Sequence, residues 1–325
     1  MDKARFFENE YCFVFDRRTN ISYSLFRNVL TPENTFELYY PGKERTTKLG
    51  KIWNRYFRKY FFGWIRKDFK KKYSGKITIF TNESLSHISL RLLRRIKKES
   101  KATVLFFIDE LFNDYKTVRR AKILMADQSH YFDLIYTFSP KDAATHGVLL
   151  NKSYYSAFNV SKAEGEQGLF FVGSMKNRGS LLNQIYNYLQ SVNVSCLFYV
   201  YVNSGRDKTN PNFHYTSIPY ESSIRLLKSS NVILDLVDER QTGMTLRYYE
   251  AVVYNKKLLT NNINIIQQSY YNEHYMKVFR TMDELKNIDP SWFNSTEEID
   301  YHYREEFEPY NFLKQIQVDL KDREG

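Results

Sequence analysis

Apolar residues in the first half of the chain come in short runs that stop at polar or turn-forming residues. These are CFVFD (Cys12 to Asp16), KITIFTN (Lys76 to Asn82), TVLFFID (Thr103 to Asp109) and FDLIYTFSP (Phe132 to Pro140). A strand with one wet face alternates apolar and polar; these runs are apolar on both faces, which predicts parallel strands buried on both sides. Helical patterns such as SLSHISLRLLRRIKKE (Ser84 to Glu99) lie between them. The second half repeats the alternation. GLFFVGS (Gly168 to Ser174), VSCLFYVYV (Val194 to Val202), NVILDLV (Asn231 to Val237) and KKLLTNN (Lys256 to Asn262) read as strands. LLNQIYNYLQ, ESSIRLLKSS (Glu221 to Ser230) and MTLRYYEAVVY (Met244 to Tyr254) read as the helices between them.

Between the halves, NVSKAEGEQG (Asn159 to Gly168) has no apolar run, two glycines and several charges, and reads as a linker. The pattern therefore predicts two α/β domains, residues 1–160 and 161–300. A last segment, 301–325, follows, in which Tyr301 to Asp319 reads as one long helix able to pack back across the boundary. The length, 325 residues, exceeds what one core of roughly 100–200 residues organises, in agreement with two domains. At 42% hydrophobic and 26% charged the composition is that of a folded globular protein. Two distant cysteines, Cys12 and Cys196, build no disulfide framework, and the six histidines include no close pair of metal-ligand type. The chain has no basic and apolar leader and no long apolar run, so a cytoplasmic protein is expected, with any membrane contact peripheral.

Charge is distributed unevenly. Residues 1–160 hold 30 basic against 16 acidic residues, and residues 161–325 hold 18 against 21. The densest basic stretch is KIWNRYFRKYFFGWIRKDFKKKY, in which Trp53, Tyr56, Phe57, Tyr60, Phe61, Trp64 and Phe69 are threaded through Lys and Arg. One reading is an amphipathic helix at an anionic headgroup surface, placing Trp53 to Tyr73 against the inner face of the cell membrane. Another is a solvated cationic face over core aromatics. Basic stripes with aromatics also suit nucleic acid, but no DNA- or RNA-binding signature accompanies this one and half the chain is mildly acidic, so no nucleic acid is expected.

Two segments carry candidate chemistry. In FFVGSMKNRGSLL a strand ends in Gly173-Ser174 and a helix begins near Gly179. A helix N-terminus there directs N–H groups and partial positive charge at a phosphate, with Lys176 and Arg178 adding full charges. A turn with no ligand is the plainer account of the same residues. In LDLVDERQTGMTLRYYEAVVYNKKLLTNN, a polar loop with Gln241-Thr242-Gly243 leads into a helix that sets Arg247 and Glu250 three apart on one face. That pair fits a carboxylate for a ribose beside an arginine for a diphosphate, and it also fits an ordinary surface ion pair.

The run from Tyr220 to Asn262 resembles the nucleotide-sugar-binding half of bacterial GT-B glycosyltransferases of capsular and lipopolysaccharide synthesis. Those enzymes commonly show a strand ending in VGS, then a segment like YEE, then LKSSKVVLDI and QxGLTMRxxEALGxxKKLITTN. The counterparts here are Phe171-Val172-Gly173-Ser174, Tyr220-Glu221, LLKSSNVILDL, and Gln241 to Arg247 with Glu250. The likeness extends upstream through FFIDELFND (Phe106 to Asp114) and FDLIYTFSPKDAATHG (Phe132 to Gly147). AVVYNKK replaces the usual ALGAxKK, and Ile108-Asp109-Glu110 stands where the family has Trp-Asp-Ser.

The resemblance implies a GT-B fold, two Rossmann-like domains facing across a cleft, and a hexosyltransferase-class activity. A sugar would pass from a nucleotide-sugar donor to a glycan or glycolipid acceptor of the bacterial surface. Glu250 would hold the ribose, with Arg247, Thr242, Gly243, Thr245, Gly173, Ser174 and Arg178 around the diphosphate and Tyr220 beside the base. No resident cofactor or metal is expected, because GT-B enzymes generally offset the departing diphosphate with helix dipoles and cationic side chains. A catalytic base is sought at a strand end of the first domain. Asp109 is the first candidate and Glu110 its neighbour, with Asp16, His87 and His130 behind them. A non-enzymatic nucleic-acid- or partner-binding α/β protein that uses the basic aromatic segment 51–101 is the rival reading.

Overall fold

The computed structural model describes residues 7, 9–15, 21–38, 67–113, 116–127, 130–151, 154–164, 167–202, 208 and 210–324. The chain divides into two compact units, Met1–Ser156 with Phe307–Gly325, and Ala157–Glu306. Each is built on a wholly parallel sheet.

In the first unit the strands are β1 (Tyr11–Phe15), β2 (Thr35–Glu37), β3 (Ile77–Thr81), β4 (Ala102–Phe107), β5 (Leu134–Thr137) and β6 (Leu149–Leu150). They lie in the order β2-β1-β3-β4-β5-β6, all parallel. Helices α1 (Ile21–Leu25), α2 (Leu90–Glu99), α3 (Lys116–Met125) and α4 (Pro140–His146) connect them. β1, β3, β4 and β5 are buried along their whole length, as runs apolar on both faces require. On one face Val14, Phe80, Leu105 and Phe107 meet Leu92, Leu93 and Ile96 of α2. On the other, Phe26, Phe106, Tyr136 and Tyr154 gather around Phe312, with ring centroids 5.1 to 6.2 Å away.

Phe312 belongs to the C-terminal helix, here Pro309–Glu324, which packs within this unit; the Tyr11 hydroxyl donates to Leu313 O at 2.8 Å. The sequence pattern starts the helix at Tyr301, but a proline lacking an N–H fits a first helical turn and disfavours helix in Glu308 before it. The segment Ser84 to Glu99 also differs from one continuous helix. A 3-10 turn, Ser84–His87, is followed by extended Ile88 and Ser89, and the Ser89 hydroxyl accepts from Leu92 N at 3.1 Å to start α2.

Of the basic aromatic segment, Trp53 to Arg66 lie outside the described residues. Residues 67–73 are helical, with Phe69 and Tyr73 buried against Phe36 at 5.2 and 5.5 Å and Lys70, Lys71 and Lys72 exposed. No helix among the described residues is long and apolar enough to cross a membrane.

The second unit contains β7 (Gln167–Ser174), α5 (Gly179–Ser191), β8 (Cys196–Tyr201), α6 (Tyr220–Ser229), β9 (Ser230–Asp235), α7 (Leu246–Val253), β10 (Lys257–Thr260), β11 (Met276–Val278), α8 (Met282–Lys286) and α9 (Pro290–Asn294). Strand order is β11-β10-β9-β7-β8, again parallel throughout. Leu169, Phe171, Phe198, Val232, Leu234 and Leu259 form a core with Leu182, Ile185 and Leu189 of α5. Both units thus share one doubly wound plan. The first strand lies inside the sheet, the second on one side of it, and the third and later strands on the other. The fold is α/β with two Rossmann-like units. In such sheets the order reverses between the first and third strands, and a crevice opens there at the carboxyl ends.

Candidate functional site

In the second unit that reversal falls between β7 and β9, which end at Ser174 and Asp235. After Ser174 the chain turns through Met175, whose N–H donates to Tyr201 O at 2.8 Å, and left-handed Lys176 (φ 43°). Gly173 leaves little room for a side chain: a Cβ there would come within 3.1 Å of the Phe171 ring, which would have to shift by a few tenths of an ångström. Arg178 ties the two strand ends together, donating to Ser174 O at 2.5 Å and to Leu236 O. Its charge sits where the sheet splits, held by backbone carbonyls.

The loop from Val237 to Met244 is pinned by the two asparagines that follow β10. Asn261 accepts from Val237 N at 2.7 Å and donates to Val237 O at 3.1 Å, while Asn262 donates to Gly243 O at 3.3 Å. Gly243 is buried and Thr242 half-buried. At the loop's outer edge Arg240 grips Asp238 through two nitrogens, at 2.8 and 3.0 Å, and these bonds hold the carboxyl at about 2. The loop ends at Thr245, whose hydroxyl caps α7 by accepting from Arg247 N at 3.2 Å.

Arg247 and Glu250 lie one turn apart on α7 and form an ion pair at 2.5 Å. Glu250 is fully buried and Arg247 nearly so. The other carboxylate oxygen accepts from the Tyr220 hydroxyl at 2.6 Å, brought in by the first residue of α6. Asp235 lies near the pair, also buried, accepting from Thr260 Oγ1 at 3.1 Å and from the Thr245 hydroxyl. Burial pushes both carboxyls above their ordinary values; Arg247 opposes the shift at each, and Arg178 also does so at Asp235.

The motif residues Gly173, Ser174, Arg178, Tyr220, Thr242, Gly243, Thr245, Arg247 and Glu250 thus meet at one strand edge, though they come from three separate segments. Glu250 is not open to solvent. A ribose hydroxyl reaching its carboxylate would replace the Tyr220 hydroxyl, one donor for another. Asp235, Thr260, Asn261 and Asn262 complete the edge. The sequence holds their signal in ILD and LLTNN, where polar residues terminate buried strands.

In the first unit Asp109 follows β4, is half-buried, and accepts from Asn82 Nδ2 at 2.9 Å. Asn82, buried at the end of adjacent β3, also accepts from Ile108 N at 2.8 Å, so one amide fixes both the turn and the carboxylate. Glu110 is buried, and Leu111 N donates to Asp142 at 2.7 Å. Glu83, beside Asn82, accepts from the Ser22 hydroxyl at 2.7 Å. Asn82 and Glu83 thus join Asp109 and Glu110 at this edge of the sheet, following the strand that neighbours β4. His87 sits in the turn after β3, at the same edge as Asp109. His130 pairs with Asp127 in the exposed turn before β5, hence at the opposite edge of a parallel sheet. Asp16 lies outside the described residues.

No protein-family model matches the chain, and no curated protein matches it. Among solved structures it is similar to the spinosyn rhamnosyltransferase SpnG complexed with spinosyn aglycone, with a TM-score of 0.37 and 12% identity over 80% of this chain and 76% of that one. The same enzyme complexed with thymidine diphosphate gives a TM-score of 0.36 at 12% identity, covering 77% of this chain and 72% of the other.

Proposed function

We propose that the chain is a nucleotide-sugar-dependent glycosyltransferase of GT-B type, of the kind that builds bacterial capsular or lipopolysaccharide glycans. The observation that carries this reading is the meeting of Arg178, Tyr220, Thr245, Arg247 and Glu250 at the strand-order reversal of a parallel sheet. A diphosphate at that edge would meet the N-terminal turn of α7 and two arginines, which offset the charge that grows on it as the sugar leaves. The reading needs no resident metal. Asp109 is proposed as the base for the acceptor hydroxyl, with Asn82 holding it in place. The exposed lysines before Tyr73 are proposed to bring the enzyme to an anionic membrane surface carrying a lipid-linked acceptor.

Calorimetric titration with UDP, GDP, CDP and dTDP tests the donor site. At least one should bind, and Glu250→Ala should weaken it by about 2–3 kcal/mol through lost hydrogen bonds to a charged acceptor. Equal affinity of Glu250→Ala and wild type for every nucleotide would overturn the reading.

A further inference from the structure

At the other edge of the same unit, where β9 and β10 begin, lies a recess of about 430 Å³. Six residues of β9 separate the edges, so the recess is about 17 Å from the Asp235 end of the sheet. It is lined by Lys162, by Lys228 from the last turn of α6, by Tyr254 and Lys256 from the turn after α7, and by Thr296 and Glu297. Neither the proposed transfer reaction nor the packing of the sheet uses it.

Its wall is strongly cationic. Lys228 Nζ donates to Val160 O at 2.6 Å and stands 5.4 Å over the Tyr254 ring. Lys256 Nζ donates to Ser230 O at 2.6 Å. Two of the three ammonium groups are therefore held in place beforehand, which lowers the ordering cost of binding. Glu297 is the carboxylate among the lining residues, and its charge is directed elsewhere. Buried Lys257 contacts it at 2.8 Å and His274 at 2.8 Å, and those bonds hold its carboxyl below the ordinary range. Burial, together with the like charge of Lys162, pushes the Lys228 ammonium down. An anion in the recess would relieve that repulsion.

We infer that this recess is a second ligand site, separate from the donor edge, that takes a small phosphate-bearing molecule through Lys162, Lys228 and Lys256. Lysine is a point-charge partner for phosphate. The hydroxyls and amides of Ser229, Asn231, Asn255 and Thr296 around it suit a hydroxylated organic portion.

Inorganic pyrophosphate is the probe, used on the full chain at low salt. Acylation of individual lysines, read by mass spectrometry, locates it: pyrophosphate should slow modification of Lys162 and Lys228. Lys176, exposed at the donor edge, reports binding there. In calorimetry Lys162→Glu should weaken the protected site about tenfold or more, through one lost and one repelled charge contact. Lys162 is exposed, so this variant keeps the fold; Lys256→Gln is a second. Unchanged labelling of Lys162 and Lys228 at saturating pyrophosphate overturns the inference, as does protection of Lys176 alone. Wild-type affinity in both variants also overturns it.

Discussion

The carboxylate that the proposed function assigns to a ribose, Glu250, is the one most completely removed from water. Glu250 is charge-compensated by Arg247 and hydrogen-bonded by Tyr220, so under the proposed function Tyr220 occupies the place of a sugar hydroxyl. Tyr220→Phe should cost about 1–3 kcal/mol in urea unfolding, because a buried acceptor loses its donor. If a ribose hydroxyl takes that place, the variant's nucleotide affinity should equal or exceed that of wild type; a loss as large as that of Glu250→Ala would make Tyr220 a direct ligand instead. The same burial gives a pH signature. The folded pKa of Glu250 is raised above its ordinary 4.5, so its contribution to stability is complete below that value and is lost as pH rises through the folded one. The destabilisation caused by Glu250→Gln should therefore shrink as pH rises from about 4.5, as measured by urea titrations across pH. In the first unit, Asp109→Asn should leave nucleotide affinity intact and lower turnover about 10²–10⁴-fold, read with the donor that binds. Arg247 and Glu250 were legible because both lie on one helix face at a fixed spacing. Asp235 and Asn82 were not, because their partners, Thr260 and Asp109, come from neighbouring strands and only the sheet brings them together.

At the scale of elements, the long buried strands were the legible part. β1, β3, β4, β5, β7, β9 and β10 all fall on apolar runs, since burial on both faces leaves an unbroken signature; β8 falls on one too, but as an edge strand it is only partly buried, with Tyr201 exposed. β2, β6 and β11 have two or three residues each, too short to show a period, and they add strands at the sheet margins. Helix ends depend on single residues that periodicity does not weigh. Ser89 divides Ser84 to Glu99, and Pro309 moves the last helix's start toward the C-terminus. At Gly147 the chain leaves α4 with φ 62°, a left-handed conformation that costs an L side chain. Gly147→Ala should accordingly lose about 1 kcal/mol in urea unfolding, although no atom lies near enough to clash. That separates a backbone effect from a packing effect at one position.

For the whole molecule, the excess charge of residues 1–160 is the feature that composition announces and folding has to place. Where the basic segment is described, the aromatic and cationic positions separate: Phe69 and Tyr73 belong to the core, and the lysines between them face solvent. Attraction to a membrane through residues 67–73 would then be electrostatic, without insertion of those two rings. Each lysine near an anionic surface contributes about 1 kcal/mol, screened over a Debye length of about 8 Å at physiological salt. Lys70 lies 3.7 Å from Glu99 and Lys72 3.1 Å from Asp68, but both lysines are more than half exposed, and such pairs contribute little to stability. Charge reversal at Lys70, Lys71 and Lys72 should thus spare the fold and the proposed nucleotide site of the other unit. It should lower binding to phosphatidylserine vesicles at least about a hundredfold, since three attractive terms of that size become repulsive. Wild-type binding should fall steeply between low and physiological salt and be absent on neutral vesicles. Co-sedimentation at matched lipid concentration reads all three. Equal pelleting of wild type and the triple variant would return these lysines to an ordinary solvated face and move the search for a membrane contact to other basic surfaces. The exposed Arg91, Arg94 and Lys98 row of α2 would be the next to reverse, because residues three and four apart on a helix present their charges together.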